Sequence, residues 1–203
     1  MSAQPVEPTR PTVTYQQLQE LAEVYEAEAK NRGELARADI TNQEITVHMM
    51  SPSNPHGRIV MQIGRQIENQ DRDAVALPET RVHRPDLGMC RTADLLVLTE
   101  DAWDRQPEDF GTLAHDVSVA FEVVSISDPG RDYITKLREY PRMGIPVYAI
   151  VDPRDGKVTV HSGIDTSSGV PAYEEPPARY KFGETVPVGP WTLDTAQFPR
   201  YRD

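Results

Sequence analysis

The spacing of apolar residues changes along the chain, and each change marks an element. Leu18, Leu21, Ala22, Tyr25 and Ala29 recur at helical spacing behind Thr14, an N-cap residue type, and the Glu residues between them belong to a solvent face. The stretches "ELARADI" and "EITVHMM" have strand-like content around a polar "TNQ" turn, which predicts a hairpin. "SPSNPHG" is a loop by composition, and behind it Ile59, Val60, Ile63 and Ile67 form one helical stripe. Short strands are predicted at about 74–77 and 80–84, and a stronger one at "ADLLVL", 93–98.

The second half opens on an apolar run from Val117 to Ile126 that reads as a strand buried on both faces. A helix is predicted from about Arg131 to Tyr140, then a strand "PVYAIVD", a "PRDG" turn and a strand "KVTVH". Strand, helix and strand in this order form a crossover unit, right-handed and parallel by rule. The last forty residues are rich in Gly and Pro and predict edge strands and loops. The pattern as a whole predicts an α/β fold with a central mixed β-sheet flanked by helices. Residues 1–12, rich in Pro and Thr, are expected to form a flexible tail, and 13–203 a single domain.

Composition narrows the function class. With 38% hydrophobic residues and no long apolar run, the chain has neither a membrane span nor a signal-peptide pattern, so a soluble cytoplasmic protein is expected. One cysteine, Cys90, excludes an intrachain disulfide and a cysteine-built zinc site. The net charge of -11 argues against coating nucleic acid by bulk electrostatics. The charge is uneven, however. Residues 94–130 hold nine acids against the one base Arg105, whereas 131–157 hold six bases against four acids. Such a division suits a cation site beside a phosphate-binding surface.

Two carboxylates sit where the pattern calls for apolar residues. Glu122 interrupts the buried run, and Asp94 opens the "ADLLVL" strand. Unpaired, either would cost several kcal/mol or surrender its charge. If the strands are neighbours, the two acids meet and need a cation between them; two carboxylates with a backbone carbonyl, here Val123, form an oxygen shell suited to magnesium or manganese. Satisfaction of each acid by backbone amides or an arginine is the alternative. Lys136 lies on the side of its helix that carries Tyr140, bordering the stripe of Tyr133, Leu137 and Tyr140, so its ammonium can reach inward, and Asp132 either orients it or caps the helix. A lysine beside a metal-bound water can orient the nucleophile or neutralise charge on a phosphorane-like transition state. His56 is read as a loop or helix-start residue, with a phosphate contact as its alternative; no His pair has metal-ligand spacing.

An Asp, a following Glu strand and a nearby lysine resemble the PD-(D/E)xK nuclease superfamily, the restriction-endonuclease-like fold. "FEVVSISDPGRDYITKLREYPRMGIPVYAIVDPRDGKVTVH" is similar more narrowly to the Uma family of endonucleases. The early "ITNQEITVHMMSPSNPHGRIV" and the terminal "LDTAQFPR" extend the resemblance over about residues 35–200. It implies that Asp94 and Glu122 ligate the metal, that Lys136 supplies the catalytic ammonium, and that Asp39, where the family usually has Glu, takes part through water. The superfamily's commoner lysine position is Val124 here, and the Uma family is similar in moving the lysine to the following helix. A literal Pro-Asp occurs at Pro85–Asp86, but Asp86 precedes "LGMC", a predicted turn, so Asp94 is preferred. The implied activity is magnesium- or manganese-dependent hydrolysis of phosphodiester bonds, with nucleic acid, DNA first, as partner and a homodimer as the expected form for cutting both strands. A catalytically inactive module of the same fold, binding nucleic acid or a protein, is the rival reading.

Overall fold

The computed structural model describes residues 13–49, 53–107, 111–126 and 130–201. The expected tail, 1–12, and Met50 to Pro52 of the early loop lie outside them.

Helix α1, Tyr15–Asn31, begins with a reciprocal capping box: the Thr14 side chain accepts from the Gln17 N–H, and the Gln17 side chain accepts from the Thr14 N–H. Leu18, Ala22 and Ala29 are buried, while Leu21 and Tyr25 of the predicted stripe are exposed, because only one edge of the helix meets the hairpin below it. That hairpin pairs β1, Ala36–Thr41, with β2, Glu44–Met49, around Asn42 and Gln43, both at positive φ as a two-residue type I′ turn demands. Helix α2, Asn54–Gln70, is capped by Ser53 and buries Ile59, Val60, Ile63 and Ile67. Each fully buried Ile contributes about 1.5–3 kcal/mol.

Where two short strands were expected, one long strand β3, Ala74–Arg84, runs antiparallel to β4, Met89–Thr99. The predicted break at Pro78–Glu79 is real but local. The ladder passes from Pro78–Leu95 to Thr80–Ala93 without a Glu79–Asp94 pair, and Glu79 sits at φ 49°. The Pro85–Leu87 turn closes at Gly88, left-handed at φ 61°, so Met89 and Cys90 already belong to β4 rather than to the predicted "LGMC" turn.

A short helix α3, Glu100–Asp104, and a two-residue strand β5, Thr112–Leu113, lead to β6, Val119–Val123. The crossover helix follows as a π-helical segment, Arg131–Lys136, continued by α4, Leu137–Met143, which ends at Gly144 with φ 88°. It runs further than predicted because this left-handed glycine sets the stop. Strand β7, Val147–Asp152, is parallel to β6, and β8, Lys157–Ser162, returns antiparallel. The small strands β9, Ile164–Asp165, and β10, Ala172–Tyr173, pair together, β11, Ala178–Lys181, joins the edge at β8, and β12, Thr185–Val188, forms a hairpin with β13, Trp191–Asp194.

The central sheet runs β11-β8-β7-β6-β4-β1-β2, with β3 also paired to β4. One face packs α2 and the β12–β13 hairpin over Leu95, Phe121, Val151 and Trp191. The other packs α4 over Leu96, Ala120, Tyr148 and Ile150. Since β3 occupies one edge of β4, β1 and β6 must share the opposite edge, meeting it at Cys90 and at Leu95–Val97 respectively. Between them, residues 91–94 have no strand on that side. No helix among the described residues is long and apolar enough to cross a membrane.

Candidate active site

The fork left between β1 and β6 exposes backbone donors that side chains must satisfy. The Thr92 N–H donates to Asp39 Oδ1 at 3.2 Å, and the Val123 N–H donates to Asp94 Oδ2 at 2.7 Å. Both acids therefore stand at the fork because the ladder stops there. The bond from Val123 also places Asp94 against the residue that follows Glu122.

Glu122 belongs to the α4 face of β6 and is 0% exposed. Its Oε1 accepts from the Tyr140 hydroxyl at 2.6 Å, and its Oε2 faces Lys136 Nζ at 2.6 Å. Lys136 is 3% exposed, so the ammonium turns fully inward, and Asp132 Oδ1 lies 3.8 Å from it. Burial pushes the Glu122 carboxyl well above the usual carboxylate range, the Lys136 charge opposes this, and Asp94 and Asp132 add to it. At Asp94, burial raises the carboxyl, but the His56 hydrogen bond and Lys136 outweigh it and hold it below its usual value.

His56 has two jobs. Its backbone N–H donates to the Ser53 cap, and its Nε2 lies 3.5 Å from Asp94 Oδ1. The helix-start reading is correct for the backbone, but the imidazole belongs to the site. Asp39 faces two arginines and a histidine: Arg131 at 2.8 Å, His48 at 3.3 Å and Arg91 at 3.9 Å. Burial raises its carboxyl, yet the His48 bond with Arg131 and Arg91 brings it far below the ordinary range. Arg91 in turn grips Glu139 through Nε. Asp86, the literal Pro-Asp, is an exposed partner of Arg84 at 2.7 Å and plays no part in the fork.

Among the described residues no three His, Cys, Asp or Glu side chains gather as a ready-made metal cage. Two other observations suit a cation. Glu122 Oε2 accepts no hydrogen bond of good geometry, Thr92 Oγ1 has no hydrogen-bond partner, and the Arg131 Nε–H donates to none. Counted along its ion pairs, the fork gathers five carboxyl groups, Asp39, Asp94, Glu122, Asp132 and Glu139, around the three permanent cations Arg91, Arg131 and Lys136, with His48 and His56 beside them. A pocket of about 20 Å³ opens between Arg37, Glu79, Thr92, Ala93, Asp94, Arg131 and Lys136, room for a single water-sized group. The carboxylate oxygens of Asp94 and Glu122 are the donor type that a hard divalent ion takes, whereas the lining of this pocket holds three cationic side chains against two acids.

Tyr140, Arg131 and Glu79 were missed as site residues. Tyr140 followed the apolar stripe of its helix, and only its hydroxyl hinted at a partner. Glu79 follows a proline inside a strand pattern, a sign of a local break.

The chain was compared with known proteins. A crystal structure of "a putative nuclease belonging to DUF820" from Anabaena variabilis ATCC 29413 shares the fold, with a TM-score of 0.62 over 87% of this chain and 89% of that one at 14% identity. None of the curated proteins matches. The mixed sheet with flanking helices is the restriction-endonuclease-like architecture. Residues 16–195 match the Uma2 family, described as "Putative restriction endonuclease", and a match of that length makes the chain a member of it.

Proposed function

We propose that the chain is a nuclease that hydrolyses phosphodiester bonds of nucleic acid with the help of Mg²⁺ or Mn²⁺. The observation that carries this reading is the Glu122–Lys136 contact at 2.6 Å, buried in the strand fork beside Asp94. A purely structural element gains little from such a pair, since burying it costs desolvation that well-packed apolar residues avoid.

Asp94 and Glu122 would hold the ion, with the Val123 carbonyl as a third oxygen. When bound, the ion supplies a polarised phosphate and an acidified water. Tyr140 fixes the orientation of Glu122, and His56 does the same for Asp94. Lys136 keeps a proton at Nζ near the place where phosphate charge develops, and Asp132 holds that ammonium in the fork. Asp39 takes part at one remove, by fixing Arg131 at the start of the segment that carries Lys136.

The engagement of Asp39 by Arg131, Arg91 and His48 favours a second reading, an inactive module that keeps the fold for binding. One experiment separates the two: manganese-dependent nicking of plasmid, single-stranded DNA and RNA by wild type, Glu122→Gln and Lys136→Met at matched purity. The nuclease reading expects cleavage by wild type and a fall on the order of 10² or more in either variant. Equal cleavage by all three, or none by wild type on any substrate, would overturn it.

A further inference from the structure

Helix α2 presents three kinds of side chain on three faces. Ile59, Ile63 and Ile67 enter the core, and Gln66 and Gln70 bond the backbone of β13. Arg58, Met61 and Arg65, spaced three, four and seven apart, remain exposed on the third face. They line an open groove of about 610 Å³ together with Ser53, Gly57 and Gln62. Among the described residues no carboxylate lines it. Neither Arg58 nor Arg65 makes an ion pair among the described residues, in a protein whose net charge is -11 and whose other arginines are mostly paired.

Gly57 adds an independent sign. It sits in the first turn of α2 without a positive φ, and a Cβ there would meet nothing within 4 Å. Neither backbone conformation nor packing asks for glycine, which is a poor helix former. Glycine is also used where another backbone must come close. The near end of the groove is Ser53, which bonds to Tyr201, and the Tyr201 hydroxyl donates at 2.8 Å to the carbonyl of Val124, the residue after Val123 at the end of the strand that carries Glu122. Arg58 and Arg65 lie about 10 Å apart along the helix axis, roughly three steps of a nucleic-acid strand at about 3.4 Å each.

We infer that this face of α2, from Ser53 to Arg65, is the track for the phosphodiester backbone of a nucleic-acid strand leading toward the fork, with Arg58 and Arg65 on phosphates about three steps apart and Gly57 leaving room for the chain. The inference rests on the nuclease reading, and it localises binding that the bulk charge would oppose.

The test is binding of a fluorescein-labelled 20-mer, single-stranded and duplex, in EDTA between 50 and 200 mM salt. Wild type is compared with Arg58→Ala/Arg65→Ala, with Gly57→Val, and with Arg138→Ala/Arg142→Ala, a pair of exposed arginines on α4. Expected are a loss of about tenfold or more in affinity and a salt slope shallower by about 1.4 to 1.8 for the α2 pair, with the α4 pair unchanged. Gly57→Val should lose affinity while its melting temperature stays within a few degrees of wild type. Equal losses in both arginine pairs would mean diffuse attraction and overturn the track, as would unchanged binding by the α2 pair in a wild-type protein that cleaves. Absence of binding and cleavage by wild type would overturn the nuclease reading with it.

Discussion

Lys136 Nζ approaches Glu122 Oε2 to 2.6 Å at a point where the glutamate has no exposed surface. The two charges define each other's state, since neither has water to turn to. Lys136→Met should leave a buried carboxylate without its cation and cost roughly 3–5 kcal/mol. Adding Glu122→Gln to it should recover a large part of that loss. Urea unfolding of the two single variants and the double variant measures the coupling; strictly additive losses would show that the pair is not a unit.

Metal should stabilise the folded protein. A divalent ion held by the Asp94 and Glu122 oxygens binds the folded form alone, so millimolar Mn²⁺ should raise the melting temperature by several degrees. Asp94→Asn and Glu122→Gln should each lose the shift. A shift of equal size in either variant would place the ion elsewhere, and EDTA should return wild type to its starting melting temperature.

Asp39 ties β1 to the crossover helix through Arg131 and to Thr92 through its other oxygen. Asp39→Ala would leave Arg131 and Arg91 with one anchor fewer in a buried site, and a loss of roughly 3 kcal/mol or more is expected. Residual folded protein should still show the manganese shift, since Asp94 and Glu122 remain. Loss of the shift at full fold stability would instead make Asp39 a direct partner of the ion.

His83 predicts a pH response distant from the fork. Burial first, and the Arg81 charge second, lower its pKa to about 4 from 6.5. Its Nδ1 lies 2.7 Å from the Tyr15 hydroxyl and 3.3 Å from the Gln19 amide, both of which can donate to a neutral ring. The folded form thus binds its proton less readily than the unfolded one. Stability from this group is complete above pH 6.5 and falls by about 1.4 kcal/mol per pH unit as pH drops from 6.5 to 4. His83→Gln should flatten that part of the profile relative to wild type; parallel profiles would contradict it.

Much of this was legible in the sequence where it depended on local period. Glu122 stood out because charge broke an apolar run, and Lys136 because its helical phase pointed it at the sheet. The hairpin around "TNQ", the α2 stripe and the parallel crossover followed in the same way. Pairings across long stretches of chain were not legible: Asp39 and Arg131 are 92 residues apart, and no period along the chain connects them. The ring of His56 escaped for a related reason, since its backbone role at the helix start is local and its contact with Asp94 is not. The expectation of two short strands before residue 85 failed because Pro78 and Glu79 disturb the ladder at one step without ending it.

The π-helical segment Arg131–Lys136 carries a consequence for how the chain tolerates change in length. Such a segment holds one residue more than an α-turn of the same rise. That extra residue lies between Arg131, which faces Asp39, and the later pair Lys136 and Tyr140, which face Glu122. Deleting Thr135 would let the helix relax to an ordinary α-turn with the two sets of side chains in nearly the same phase, since one residue fewer at about 100° a step covers about the angle of the wider turn. The crossover therefore carries one spare tooth: a chain shorter by that residue would still engage both the hairpin and the Glu122 strand.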